Sequence, residues 1–271
     1  MILVTSATGN IGRCLVRDLH EAGFAVRATT RDPGGAEFPD GVEAVSGDLE
    51  DPDSLRDAFA GVTGFFLLGS PGDVPAILHR AAEAGVRRVV LVSSLLAETH
   101  PESFIGSGAL AGEKALRDSG LDWTVLRPWE FMSNAFRWTP SITEHGSVYA
   151  HENPEGSQVV DPADIAAVAA RALTESDHEQ RIHSLTGPEK LTVAQRVAVL
   201  AEELGRPVEF VELSTEQARR RMLEYMPAGI VEDMLATDGG DPGLPDTVRR
   251  ITGRSARTFR QWAREHIAAF G

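Results

Sequence analysis

The first half of this chain alternates short apolar runs with helix-patterned stretches, and that alternation leaves few folds open. ILVTSA (residues 2–7) reads as a short buried strand. Ile11, Leu15, Val16 and Leu19 then recur at helical spacing, and Gly23 marks the end of that helix. Residues 25–31 and 42–48 read as two more strands, and Asp51-Pro52 is a helix start signal placed before SLRDAFAG. GFFLLGS (residues 64–70) and VRRVVLVSS (residues 86–94) are nearly continuous apolar runs, as strands covered on both faces must be. Helices over residues 74–84 and 110–119 and the strand DWTVLRP (residues 122–128) complete the rhythm. Repeated strand–helix units with buried strands predict an α/β fold with a Rossmann-type, doubly wound parallel sheet.

Beyond Pro128 the pattern changes. Residues 129–157 are rich in aromatic residues, Pro and Gly and lack a long period. VVDPADIAAVAARAL repeats the Asp-Pro start signal at Asp161-Pro162, and RIHSLTG reads as a further strand. Thr192 with Gln195, and Ser214 with Gln217, have the spacing of capping boxes, and residues 258–270 form an amphipathic tail helix. The expected division is a nucleotide-binding domain of residues 1–130 plus about 158–187, with a smaller mixed α/β lobe of residues 131–157 and 188–271.

The loop between the first strand and first helix, SATGNIG, carries the chemistry. A helix N-terminus that follows a buried strand presents free N–H groups to a pyrophosphate. Gly9 lets backbone approach the phosphates and Gly12 lets the helix pack on the strand, with Thr8, Asn10 and Ile11 completing the loop. Ser6 stands where a three-glycine fingerprint has its first glycine. At the end of the second strand, Arg31 offers a fork suited to a 2′-phosphate, which favours NADP(H). Asp32, one residue later, pulls toward the free ribose of NAD.

Composition narrows the class further. The 271 residues include 40 acidic and 26 basic ones, a net charge of -14. Such a surface argues against nucleic acid and anionic membranes as partners. The single cysteine, Cys14, excludes an internal disulfide and reads as a small core residue. With no signal peptide and no long apolar span, a cytoplasmic protein, monomer or homodimer, is expected.

Taken in order, VTSATGNIG, GDLEDPDSL, LVSS, GEKALRDSGLDWTVLRPWEFMSN, VVDPADIAAVAARAL and LTGPEKLT span nearly the whole chain. Together they resemble the NmrA-like family of atypical short-chain dehydrogenases/reductases, NAD(P)H-binding proteins that include NAD(P)H:quinone reductases. Ser6 departs from that family's usual glycine. The resemblance implies that Asp48 and Leu49 lie near the adenine, and that Leu68 and Gly69 flank its ribose. It also implies that Ser93 and Ser94 end a strand near the nicotinamide, and that the segment from Pro128 to Phe131 closes over it.

Ordinary short-chain dehydrogenases pair a Tyr with a Lys four residues later. Here Tyr149 is followed at that spacing by Asn153, and Tyr225 by Gly229. Aligning the helix on Glu113 puts Ile105 at the Tyr position and Ala109 at the Lys position, whereas aligning on Lys114 puts Leu110 at the Tyr position. Ser94 reads either as a surviving positioning group or as a serine that satisfies backbone. Reduction of an isolated ketone builds an alkoxide that needs a positioned acid. A quinone yields a delocalised anion that water protonates. The expected activity is therefore NADPH-dependent reduction of a small planar aromatic, quinone-like or polycyclic, substrate. Two other readings fit the same residues: an NADP(H)-binding redox sensor without catalysis, and a cyclase or isomerase. Trp129, Phe131, Met132, Phe136 and Trp138 read either as the acceptor pocket or as core joining the two lobes. His100, His145 and His151 are further candidate proton sources, each equally readable as a solvated loop histidine, and no spacing points to a metal site.

Overall fold

The structure, a computed structural model, describes residues 1–69, 72–236 and 246–271. In chain order the elements begin with β1 (Ile2–Val4), α1 (Asn10–Glu21), β2 (Val26–Thr30), β3 (Glu43–Ser46), β4 (Gly64–Leu68), α2 (Val74–Glu83) and β5 (Arg88–Val92). They continue with α3 (Leu96–Thr99), α4 (Phe104–Asp118), β6 (Asp122–Pro128), α5 (Thr139–His145), β7 (Ser147–Ala150), α6 (Pro162–Thr174) and β8 (Arg181–Leu185). The remainder is α7 (Val193–Leu204), β9 (Glu209–Glu212), α8 (Thr215–Met222), α9 (Ala228–Ala236), α10 (Thr247–Thr252) and α11 (Phe259–His266). Seven strands pair in the order β3-β2-β1-β4-β5-β6-β8, every pair parallel. A separate parallel pair joins β7 to β9. The strand order reverses between β1 and β4, so the loops after those strands part and leave a crevice at the carboxyl edge.

Two cores cover the large sheet. On one face Leu15, Val16 and Leu19 of α1 meet Ile165, Val168 and Ala169 of α6. On the other, Ile77 and Leu78 of α2 and Leu116 of α4 pack with Leu55 and Phe59. Met132, Val148, Val197, Trp262 and Phe270 form a third core.

Local signals explain most element ends. Asp161 caps α6, and Thr192 and Ser214 make complete capping boxes with Gln195 and Gln217. Thr258 and Gln261 form a third. The stretch after Asp51 differs from expectation. Asp51 does accept from the Asp53 amide, but the chain then makes two 3₁₀ turns, Pro52–Leu55 and Asp57–Phe59, instead of one α-helix. The tighter turns set Leu55 and Ala58, three residues apart, into the same core as Phe59. The expected fourth strand ends at Leu68 and its Ser70 lies outside the described residues. Cys14 is only half-buried, packed against the first core.

The chain end also departs from the expected division. Val248, Ile251 and Ala256 pack into the first core, not the third. The reason is a pair of buried acids at the start of α6, its cap Asp161 and Asp164 of its first turn. Asp164, fully buried, accepts from the Arg257 amide at 2.7 Å and pairs with Arg254 at 2.6 Å, while Asp161 pairs with the Arg257 side chain at 2.7 Å. These bonds strap residues 246–257 across α6 before α11 returns to the third core.

Candidate active site

The site is built first from the loop after β1. Thr5 is pinned by its hydroxyl to the Phe66 carbonyl at 2.8 Å, and the Ala7 amide bonds the Thr29 carbonyl at 3.2 Å, so both neighbouring strands hold the loop. Ser6 adopts a left-handed backbone, φ 51, and its carbonyl accepts from the Gly9 amide at 2.9 Å. A serine is held here in the conformation that favours glycine, at a cost of about 1–2 kcal/mol. Gly12 has no such freedom to exchange: a Cβ there would sit 2.2 Å from the Ser6 carbonyl oxygen. That contact is the close approach of helix to strand that the glycine spacing implied.

The start of α1 fits a pyrophosphate. Gly9 is its N-cap, with no side-chain cap and no acid in the first turn. By contrast, side-chain oxygens cap α2, α4, α6, α7, α8, α10 and α11. Uncapped amides at a helix N-terminus are donors suited to an anion. Because every strand of the large sheet runs the same way, its carboxyl edge gathers the other expected cofactor residues. Arg31 follows β2, Asp48 and Leu49 follow β3, Leu68 and Gly69 close β4, Ser93 and Ser94 follow β5, and Pro128 ends β6. Arg31 and Asp32 are both exposed, and Asp32 accepts from the Gly35 amide at 3.2 Å.

A cavity of about 690 Å³ opens beside this edge. One wall is Ser93, Ser94, Ile105 and Pro128, and another is Trp129, Phe131 and Trp138. Trp129 is oriented by an indole N–H bond to the Ser157 hydroxyl at 3.0 Å, and Trp138 carries the Arg196 guanidinium 5.5 Å above its ring. Helix α9 forms a third wall. It seats on α4 through Gly229, where a Cβ would come within 2.4 Å of the Phe104 ring, and through Asp233, which accepts from the Phe104 and Ile105 amides.

Two expected pocket residues lie elsewhere. Met132 is fully buried in the third core, and Phe136 stacks on Phe270 at 5.6 Å and tilts against Trp262 at 5.1 Å. They sit on the 3₁₀ segment Met132–Trp138, whose faces divide, so that Asn134, Arg137 and Trp138 face the cavity. His151 reaches the cavity, with Nδ1 3.2 Å from the Leu213 carbonyl, while His145 lies in the last turn of α5. His100 bonds Thr99. The structure also adds what the spacing search missed: Tyr149, from β7, and Tyr225, beyond α8, both line the cavity. Neither belongs to a Tyr-Lys pair, so nothing in their spacing marks them as site residues.

Behind the strand ends lies a buried charge cluster. Glu113 of α4 is fully buried and receives two side-chain bonds from Arg127, each 2.8 Å, one from the Ser93 hydroxyl at 2.7 Å, and one from Arg117 at 2.8 Å. Burial pushes the Glu113 carboxyl up, but the bonds from Arg127 and Ser93 and the charges of Arg127 and Arg117 outweigh it and hold it below its ordinary value. Glu113 is therefore a carboxylate and no proton donor at neutral pH. Ser94 is occupied locally, its hydroxyl accepting from the Leu96 amide at 3.2 Å. Ile105 stands in the cavity wall, whereas Ala109 and Leu110 do not line it.

A family model described as NAD(P)H-binding matches residues 6–176. The chain is similar to a (4-alkanoyl-5-oxo-2,5-dihydrofuran-3-yl)methyl phosphate reductase of Streptomyces griseus, 39% identical over 280 residues, covering 100% of this chain and 99% of the relative. It is similar to an NAD(P)H azoreductase of Xenophilus azovorans at 36% identity over 286 aligned positions, covering 100% and 99%. The crystal structure of an NADPH-dependent quinone oxidoreductase of Escherichia coli, complexed with NADPH, superposes with a TM-score of 0.81 at 26% identity, covering 99% of this chain and 100% of that one.

The buried cluster yields a stability prediction. Arg127→Ala strips Glu113 of its bidentate partner and is expected to cost about 3–5 kcal/mol in urea unfolding. Arg127→Met with Glu113→Leu, which removes both charges, is expected to recover most of that loss. A cost for Arg127→Ala below about 1 kcal/mol, the value of an exposed pair, contradicts the assignment.

Proposed function

We propose a reaction from one premise: this chain belongs to the NAD(P)H-binding family and is an NAD(P)H-dependent oxidoreductase. The reaction is NADPH-dependent reduction of a flat, electron-poor, conjugated acceptor, quinone-like or polycyclic aromatic. One observation carries this reading. The α4 wall of the cavity presents Ile105, and the ionisable group behind it, Glu113, is locked as a carboxylate by Arg127. A site built this way cannot deliver a proton from α4 to a developing alkoxide. It suits acceptors whose added charge is spread over the molecule and is discharged by water. The named substrate classes of the relatives share that property. A quinone and an azo group both delocalise added charge, and in the oxo-dihydrofuran two carbonyls polarise one C=C bond.

When bound, NADPH supplies the hydride. The chain's part is to bind and orient. Thr8, Gly9, Asn10, Ile11 and Gly12 receive the pyrophosphate at the uncapped start of α1. Arg31 takes the 2′-phosphate, a role supported by the engagement of the Asp32 carboxylate in its own loop, where it accepts from the Gly35 amide. Asp48 and Leu49 border the adenine, Leu68 and Gly69 the ribose, and Ser93, Ser94 and Pro128 the nicotinamide. Trp129, Phe131 and Trp138 offer flat apolar faces to the acceptor. Residues 131–157 and most of 188–271 form the substrate side.

Arg31→Ala is expected to weaken NADPH binding by about tenfold or more, the value of one charge-assisted contact, while NADH binding changes little. Equal weakening of both in a fluorescence titration would show that the 2′-phosphate lies elsewhere. Stopped-flow loss of NADPH absorbance gives the second test. Menadione is expected to be reduced and cyclohexanone is not. Comparable turnover of both would overturn the reading and make Tyr149 the first candidate for a proton donor.

A further inference from the structure

The cavity holds charge that reduction of a neutral acceptor does not use. Three of its acids are committed. Glu130 pairs with Arg196 at 2.8 Å, Glu152 accepts from the Val193 and Ala194 amides at the start of α7, and Asp233 holds the start of α4. Glu155 stays exposed at the rim. Two arginines of the same cavity, Arg137 and Arg221, have no carboxylate partner among the described residues. Arg137 reaches the Asn134 side-chain oxygen at 3.0 Å and the Met234 sulfur at 3.5 Å, and a thioether is a weak acceptor. Arg221 lies 5.2 Å over the Tyr149 ring.

This pattern runs against composition. With 40 acidic residues to 26 basic ones, acids are the plentiful partner. On α8 itself Arg219 pairs with both Glu216 and Glu232, two residues before Arg221, which faces the cavity with no acid paired to it among the described residues. Exposed guanidinium forks at the cavity, without a carboxylate partner among the described residues, suit an oxyanion, which they grip through paired N–H bonds. Tyr149 and Tyr225, lining the same cavity, add phenolic donors.

We infer that Arg137 and Arg221 bind an oxyanion carried by the substrate, a phosphate monoester or a carboxylate. This wall comes from α8 and the 3₁₀ segment, whereas Ser93, Ser94 and Pro128 form the wall at the sheet edge. The inference rests on the reading of this cavity as the acceptor site. The substrate class is then an electron-poor conjugated ring or enone with an anionic arm. The reducible part lies toward the strand ends and the anion toward the arginines.

Calorimetry on the NADPH-saturated protein tests it, because bound cofactor blocks anions from the loop after β1. Phenyl phosphate and benzoate are expected to bind at least tenfold more tightly than benzyl alcohol. The stronger of the two anions identifies the arm as phosphate or carboxylate. The double variant Arg137→Ala, Arg221→Ala is expected to weaken the anions by about tenfold or more at unchanged melting temperature. In steady state, the same variant is expected to raise KM for 1,4-naphthoquinone-2-sulfonate far more than KM for menadione. Anions that bind no better than the alcohol, or bind the variant as tightly as wild type, overturn the inference. Menadione turnover without anion binding removes this inference alone. Anion binding without turnover of either quinone removes the quinone reading and keeps the oxyanion site.

Discussion

Glu113 is the charge on which the strand ends depend. It is buried without exposure on α4 and is held by Arg127 from β6, by Ser93 from the end of β5 and by Arg117 from its own helix. Two fixed charges in low dielectric do not stabilise a fold cheaply, since the desolvation of each offsets much of their attraction. What the cluster supplies is position. It ties α4 to the carboxyl ends of β5 and β6, where the cavity opens. Glu98, paired with Arg127 at 3.1 Å, draws the short helix α3 into the same network. Helix α4 is thus anchored by a buried ion pair and turns Ile105 to the cavity.

The two ends of the site are organised by different physics. At the cofactor edge, backbone does the work: an uncapped helix, a serine held at positive φ, and a glycine that no side chain can replace. In the adjacent cavity, side chains from strands and helices of both parts of the chain converge, and two helix N-termini are neutralised by acids reaching from elsewhere in the chain. Asp233 of α9 serves α4, and Glu152 serves α7. Each such bond fixes one cavity wall to the next, so the cavity's shape follows from the capping of its helices.

Much of this was legible in the sequence because it is local. Buried strands announce themselves as apolar runs, and Thr192 with Gln195 announces a helix start three residues apart. A parallel sheet then carries Arg31, Asp48, Gly69 and Ser93 to one edge without further information. What stayed hidden is long-range. Nothing near Met132 or Phe136 in sequence says that they pack on Trp262 and Phe270, more than a hundred residues away, so an aromatic cluster read as pocket divides between pocket and core. The arrival of Tyr149 in the cavity depends on the pairing of β7 with β9, and that of Tyr225 on the packing of α8 on α9 and of α9 on α4. The strap of residues 246–257 depends on two buried aspartates whose partners lie some ninety residues on.

The central claim is that hydride passes from a cofactor held along the sheet edge to an acceptor in the adjacent cavity. Single-turnover reduction of menadione with NADPH deuterated separately at each C4 position tests it most directly. A fixed nicotinamide beside the cavity predicts a primary isotope effect from one position and none from the other. Equal effects from both positions, or none from either, would contradict the account.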